Sequence, residues 1–268
     1  NLRLENLALR LGASGGPEPV YIGVSPLWRT LMTTVEKIAP SAAPVLIQGE
    51  SGSGKEVVAR RLHALSPRLN HAFLAINCGA IRGDLLESEL FGYEKGAFTG
   101  AASSKTGLIA AAEGGTLFLD EISEMSGPMQ VSLLRVLDRG EYRQVGGTRT
   151  LHANVRFIAA SNRDLQELVL AGRFRDDLLY RINTVLLRVP ALRDRPEDLA
   201  GLAEHFIRTF SPSGLTPRSL TKAASTHLTA YPETCWSEYS SCLATRQDRS
   251  RPMNCSSYFH LARNVRHP

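Results

Sequence analysis

The chain has 268 residues, a formal net charge of +5 and four cysteines, with 43% hydrophobic and 21% charged residues. That is the balance of an ordinary globular protein, with room for one large domain or for a medium and a small one. It excludes a nucleic-acid footprint made of basic blocks; the apolar runs are too short for a membrane span or a signal-peptide core, and Cys78, Cys235, Cys242 and Cys255 have no C-x-x-C spacing that would suggest a metal or disulfide framework.

Residues 1–20 carry leucines at 2, 4, 7, 9 and 11 and then a Gly/Pro segment, Gly12 to Pro17. They read as a linker from a missing upstream domain or as a frayed terminus. Ile22 and Gly23 precede a helix expected from Leu27 to about Ala39. These two residues are candidates for packing against a nucleotide base, or simply for core and turn.

An apolar run, Val45-Leu46-Ile47, leads into Gly49-Glu50-Ser51-Gly52-Ser53-Gly54-Lys55-Glu56, followed by helix formers through Ala64. A strand, a G-x-x-x-x-G-K turn and a helix are the context of a phosphate-binding loop. Main-chain N–H groups of such a turn point inward at phosphate oxygens, the helix N-terminus adds partial positive charge, and Lys55 reaches the outer phosphates. The bland alternative is a Gly/Ser turn before a surface helix. The position after the lysine is Glu56 where Ser or Thr commonly ligates Mg²⁺, so the metal calls for an acid elsewhere in the chain.

A second strand, Phe73 to Ile76, ends at Asn77, where ligands of open α/β sheets gather, although a turn-forming asparagine fits equally. Gly96-Ala97-Phe98-Thr99-Gly100-Ala101 makes a poor core element and suits an exposed, flexible tip with one aromatic anchor for a partner. Thr116-Leu-Phe-Leu119 followed by Asp120-Glu121 describes a buried strand delivering two carboxylates at its end. Asp120 is the candidate Mg²⁺ group, direct or through water, and Glu121 the candidate general base; a surface pair capping the next helix is the alternative.

Further along, Met129 to Leu137 reads as an amphipathic helix, Tyr142 to His152 as a hairpin around Gly146-Gly147, and Val155 to Ala160 as a strand ending at Ser161-Asn162. The Asn162 amide stands where it could hold the attacking water or sense a γ-phosphate. A helix over Phe174 to Arg181 carries Arg175 and Arg181, candidates for an arginine acting on a neighbour's nucleotide rather than solvated surface groups. Thr184 to Val189 closes the sheet, Pro190 to Pro196 is an exit linker, and helices are expected from Glu197 to Phe210 and from Pro217 to Ala230. Alternating strands and helices predict an α/β fold, a parallel sheet wrapped by helices, followed by a small helical lid.

The loop at 49–56, Glu89-Leu-Phe-Gly92, the Gly96–Ala101 hexapeptide and Gly115-Thr-Leu-Phe-Leu-Asp-Glu121 together resemble the AAA+ domain of sigma-54-dependent transcription activators, the bacterial enhancer-binding proteins. The resemblance runs from about residue 20 to Pro232, and the hexapeptide is specific to that family. It implies a cytoplasmic, ring-forming ATPase, typically a hexamer, that uses ATP and Mg²⁺ to remodel sigma-54 RNA polymerase. By the resemblance Glu56 is usual after the lysine, Phe98 and Thr99 lie on the loop that touches sigma-54, Asn77 is a switch residue paired with Glu121, and Asn162 is the first sensor. Arg175 and Arg181 match the two arginines offered to a neighbour's ATP, with Arg181 the finger proper.

After Tyr231-Pro232 the family pattern Gly-Asn-Val-Arg-Glu is replaced by Glu233-Thr234-Cys235-Trp236 and a Ser/Arg-rich tail. Loss of one G from the codons after Pro232 accounts for the start of this change, so residues 233–268 are expected to be an aberrant, frameshifted segment behind a partial lid at 191–232. No residue there matches the second sensor, and the family's DNA-binding helix-turn-helix is not seen. Nucleotide binding is therefore expected to survive better than turnover, and a hydrolysis-deficient nucleotide-binding subunit is the alternative to an active ATPase.

Overall fold

The structure, a computed structural model, describes residues 21–210, with side chains through residue 206; the expectations for residues 1–20, the second lid helix and the tail lie outside the described residues. Helix α1 (Pro26–Ile38) comes first, then β1 (Val45–Gln48), α2 (Lys55–Ala64), β2 (Phe73–Asn77) and α3 (Gly83–Phe91). A two-stranded ribbon, β3 (Gly92–Tyr93) and β4 (Lys105–Thr106), leads to a short helix α4 (Leu108–Ala111) and β5 (Thr116–Asp120). Helix α5 (Gly127–Arg139), the hairpin β6 (Glu141–Tyr142) and β7 (Leu151–His152), and β8 (Arg156–Ser161) follow. The described part closes with α6 (Leu165–Leu170), α7 (Asp176–Ile182), β9 (Val185–Arg188) and α8 (Glu197–Phe210).

Five strands form one sheet in the order β2-β5-β8-β1-β9, with every neighbouring pair parallel. The register sets Asn77 opposite Asp120, Gln48 opposite Ser161 and Gln48 opposite Arg188, so the carboxyl ends of the strands share one edge. Except for the edge strand β9, where Leu186 and Arg188 are exposed, the strands are largely buried on both faces, which is why they read as continuous apolar runs rather than alternations. The alternation survives inside the molecule. Val45, Ile47, Phe73, Phe118, Ile158 and Ala160 pack with Trp28, Leu31, Val35, Val58 and Leu62 of α1 and α2. Leu46, Leu74, Ile76, Leu117, Leu119 and Phe157 pack with α3, α5 and α7 on the opposite face. A period of two thus sorts one stretch of hydrophobic residues into two cores.

Helix α1 begins where Ser25 Oγ accepts the Trp28 N–H, with Pro26 at the first helical position. Its other end is met by a buried arginine: Arg156 Nη1 donates to the Ala39 carbonyl at 2.7 Å, placing a cation at the negative end of the helix. Burial lowers that guanidinium to about 10. The AAA+ α/β architecture expected above is the one observed. Several boundaries shift by one or two residues; among them, the helix expected from Phe174 starts at Asp176, with Arg175 at its N-cap. Asp176 and Asp177 in the first turn favour that start, because acidic groups oppose the positive helix end.

Candidate active site

Between β1 and α2 the chain turns through Gly52 at φ 76° and Gly54 at φ 96°, conformations an L side chain resists. The N–H groups of Gly52, Gly54 and Lys55 meet no acceptor among the described residues, whereas Ser53 N–H bonds back to Glu50 O at 3.2 Å. The buried Ser53 Oγ is also without a partner. Donors without a protein acceptor at a helix N-terminus are what a phosphate needs; any helix start leaves some to water, and here the buried Lys55 and Ser53 stand among them.

Lys55 is buried, and its Nζ donates to the carbonyls of Gly49 and Glu50 at 3.0 and 2.9 Å, folding back over its own loop. Burial pushes the ammonium below the usual lysine range, and the nearby carboxylates of Asp120 and then Glu121 draw it back up. Reciprocally, burial pushes Asp120 above the usual carboxylate range; Lys55 opposes the shift and Glu121 adds to it. Charge of both signs is thus held in one partly desolvated space, a condition that a triphosphate with its counter-ion would complete.

Glu121 is the one non-glycine residue with positive φ, 52°, among the described residues. Its side chain does not cap the 3₁₀ turn at Ile122–Glu124, so the capping alternative is not what the structure adopts. Strain of about 1–2 kcal/mol at such a position collects at functional sites. The carboxylate lies over Gly79, where an added Cβ would come within 2.3 Å of Glu121 Oε2 and 3.4 Å of Asn77 Oδ1. Asn77 Oδ1 itself accepts the N–H groups of Gly79 and Ala80 at 2.8 and 2.9 Å, and no hydrogen bond joins Asn77 to Glu121. Asn77 and Glu121 therefore face one glycine without a hydrogen bond between them. Asn162 is exposed just past β8.

A metal fits the acids more narrowly than the loop fits phosphate. Glu56 is paired along α2 with Arg60, at 2.9 and 2.7 Å, and among the described residues no three metal-ligating side chains cluster. Asp120 is the group left for Mg²⁺, with phosphate oxygens and water completing the shell.

Arg175 and Arg181 are exposed and held within the chain. Arg175 makes a bidentate pair with Asp177 at 2.9 and 2.6 Å, and Arg181 Nε lies 2.7 Å from Asp138 Oδ1 on α5. Pairs with side chains nearly half exposed contribute only about 0–1 kcal/mol, so both can be exchanged for a stronger anion. Ile22 Cγ2 packs towards Gly201 of α8, and Gly23 abuts the Trp28 ring so closely that any Cβ would collide with it.

The Gly96–Ala101 loop stands at the end of the β3–β4 ribbon. Phe98 is 45% exposed and meets Tyr93 edge-on, with centroids 5.0 Å apart, while Ala101 is buried beneath. Hydrogen bonds from Gly96 N to Ala101 O and from Ala101 N to Phe98 O shape a turn where sequence suggested only a flexible tip. The β6–β7 hairpin leans on its base: Val145 N–H donates to Gly92 O at 2.9 Å and Val145 O accepts Glu94 N–H at 3.1 Å. Gly146 leaves no room for a Cβ, which would sit 2.7 Å from Ala97 Cβ.

Sequence reasoning missed a buried polar group behind the loop. Arg195 and Asp198, read as exit linker and lid, are 3% and 1% exposed. Arg195 stacks on Trp28 at 4.4 Å and donates to the Ser53 carbonyl, and Arg193 clasps Glu50 at 2.7 and 2.6 Å. A charged run around Pro196 was the only signal, and such runs are ordinarily solvated.

The parallel sheet, the glycine turn with its buried lysine and the acids on the next strand but one define a P-loop nucleotide-binding protein. The Sigma-54 interaction domain matches residues 21–188, and the chain belongs to that family. It is 50% identical over 205 residues to the transcriptional regulatory protein ZraR of Salmonella typhimurium, covering 74% of this chain and 46% of that protein. To the sigma54-dependent transcriptional activator SfnR of Pseudomonas putida it is 49% identical over 207 residues, covering 77% of this chain and 57% of that one. Among solved structures, NtrX of Brucella abortus in complex with ATP superposes with a TM-score of 0.73 at 36% identity, over 85% of this chain and 48% of that chain. The chain spans about half the length of the curated relatives it matches.

Proposed function

We propose that this chain binds ATP at residues 49–56, hydrolyses it in a ring of its own copies, and uses the cycle to press the 96–101 loop against the sigma-54 factor of RNA polymerase, activating transcription in the cytoplasm. The observation that carries the reading is the Lys55 ammonium, buried within a loop of unpaired N–H donors and electrostatically balanced by Asp120 and Glu121. The NtrX likeness, solved with ATP, supports the same ligand.

In this reading Gly49, Glu50, Ser51, Gly52, Ser53, Gly54 and Lys55 line the phosphates, and Lys55 Nζ exchanges its two loop carbonyls for phosphate oxygens. Bound Mg²⁺, held by Asp120 directly or through water, supplies neutralisation of the phosphate charge. Glu121 takes the proton of the attacking water, and Asn77, which faces Gly79 as Glu121 does, governs which way that carboxylate turns. Asn162 reads the terminal phosphate. Ile22 and Gly23, set between Trp28 and α8, border the nucleoside end. Arg181, with Arg175 beside it, leaves Asp138 for the ATP of the adjoining copy, most simply in a hexamer. Ala97, Phe98, Thr99 and the flanking Gly96, Gly100 and Ala101 form the sigma-54 contact, because an exposed aromatic on a braced projection is a docking feature rather than packing.

Phosphate release from ATP and Mg²⁺, followed across a range of protein concentrations, tests this. Turnover per chain should rise with concentration, and Arg181→Ala should lower it by about 10³-fold or more while ATP still binds. Binding without turnover at any concentration would favour the hydrolysis-deficient subunit instead. Failure to bind ATP would overturn both.

A further inference from the structure

The peptide unit between Ser53 and Gly54 is the part of the phosphate loop most able to turn over, since glycines stand on either side of Ser53 and the unit has no ladder to hold it. It is held from behind. Arg195 donates through Nη2 to the Ser53 carbonyl, and its guanidinium rests on the Trp28 face at 4.4 Å. Arg195 Nη1 lies 3.9 Å from Asp198 Oδ2. Asp198 in turn accepts Val24 N–H at 2.6 Å, Ser25 N–H at 2.8 Å and Ser25 Oγ–H at 2.8 Å, and Ser25 Oγ accepts the Trp28 N–H at 3.3 Å. Arg195, Asp198, Ser25 and Trp28 therefore close a ring of contacts, and all four are buried. Taking an ion pair out of water is unfavourable unless its partners are well placed, and a linker with no task would leave both charges solvated.

We propose that Arg195 is a positioning residue of the phosphate loop: it pins the Ser53 carbonyl on one side of the chain and so presents the Gly54 N–H on the other, as a donor to phosphate. In a trans peptide the C=O and N–H point in opposite directions, and there is no cis peptide among the described residues. Fixing the oxygen fixes the hydrogen. Gly54 N–H has no acceptor among the described residues, as a donor kept for a ligand requires. The pin works by hydrogen bonding and not by bulk, because a Cβ on Gly54 would lie 3.9 Å from both Arg195 Nη2 and the Trp28 ring. The same arginine precedes α8, so the first turn of the lid and the donor row of the loop are set by one side chain.

This rests on the reading of residues 49–56 as a nucleotide site. The test compares dissociation constants of ADP and of adenosine, by calorimetry or displacement, in the whole chain and its variants. Arg195→Met keeps an apolar stem against Trp28 and removes the donor. It should weaken ADP about tenfold, the scale of one charge-assisted hydrogen bond, and leave adenosine within about twofold. Arg195→Lys retains a cation without the planar fork and should fall between wild type and Met; should the Met variant not fold, the Lys variant carries the comparison. An ADP-to-adenosine ratio unchanged in either folded variant overturns the proposal, as does an equal loss for both ligands, which would mark a general structural role. A wild-type chain that binds neither ADP nor ATP overturns the underlying nucleotide reading and this proposal with it.

Discussion

The loops at 49–54 and 96–101 are built from the same materials, glycine with small residues, yet one is tied to side chains from other elements and the other projects from the fold. In the first, Gly49 makes room, since a Cβ there would lie 2.9 Å from Ser53 Oγ and 3.0 Å from the Val189 carbonyl, while Gly52 and Gly54 supply φ as well. In the second, a Cβ on Gly96 or Gly100 would meet nothing within 4 Å, and what glycine contributes is φ, 84° and 106°. The phosphate loop is gripped from outside by Arg193 and Arg195 and from within by Lys55. The projecting loop is closed by its own main-chain bonds and leaves its largest side chain, Phe98, in the open. Composition alone does not distinguish an enclosed glycine turn from a projecting one; what surrounds the glycines does.

The largest way to break the first loop is Lys55→Ala. ATP affinity should fall about 100-fold, from loss of charge-assisted bonds, as measured by titration with a fluorescent ATP. Gly49→Ala comes next and tests crowding: about 2 kcal/mol of destabilisation, read as a melting midpoint lower by about 4–8 °C for a domain of this size. In the projecting loop, Gly96→Ala should cost about 1 kcal/mol, the low end of the left-handed backbone penalty, so a loss as large as at Gly49 would undo the distinction between crowding and φ.

Asp120→Asn sharpens the comparison through charge. Because burial raises the folded-state pKa of Asp120, protonating it favours the fold, and that advantage is lost as pH rises through the raised value. The neutral amide should therefore stabilise the nucleotide-free protein at neutral pH, and give no advantage in acid, where both side chains are uncharged. Melting curves across pH check this, and a midpoint lowered at neutral pH would count against a desolvated carboxylate. Smallest is Phe98→Ala, with stability and ATP affinity held within about 0.5 kcal/mol and the whole effect confined to sigma-54 binding, measured by gel shift or anisotropy.

Much of this was legible in the sequence because the signals are local. Val45 to Ile47 and Leu117 to Leu119 carry the apolar runs of a doubly covered sheet, and Lys55 and Asp120 sit at fixed offsets from strand ends. Partner choice across the fold was not legible. Asn77 turns to the main chain two and three residues on, and Arg181 finds Asp138 on another helix. Arg195 and Asp198 vanish into the interior although their neighbourhood reads as solvated charge. The ribbons Gly92–Tyr93 and Lys105–Thr106 are too short to show any period, so the brace beneath Phe98 left no pattern to read.

That brace has a mechanical consequence. Val145 is bonded in both directions to Gly92 and Glu94, and Ala97 is seated against Gly146, so the projecting arm and the hairpin beside it cannot slide past one another. The hairpin starts at Glu141, directly after the Gly140 cap that ends the helix bearing Asp138. The aromatic tip is thus joined, through main-chain bonds and one short hairpin, to the helix on which Arg181 is moored.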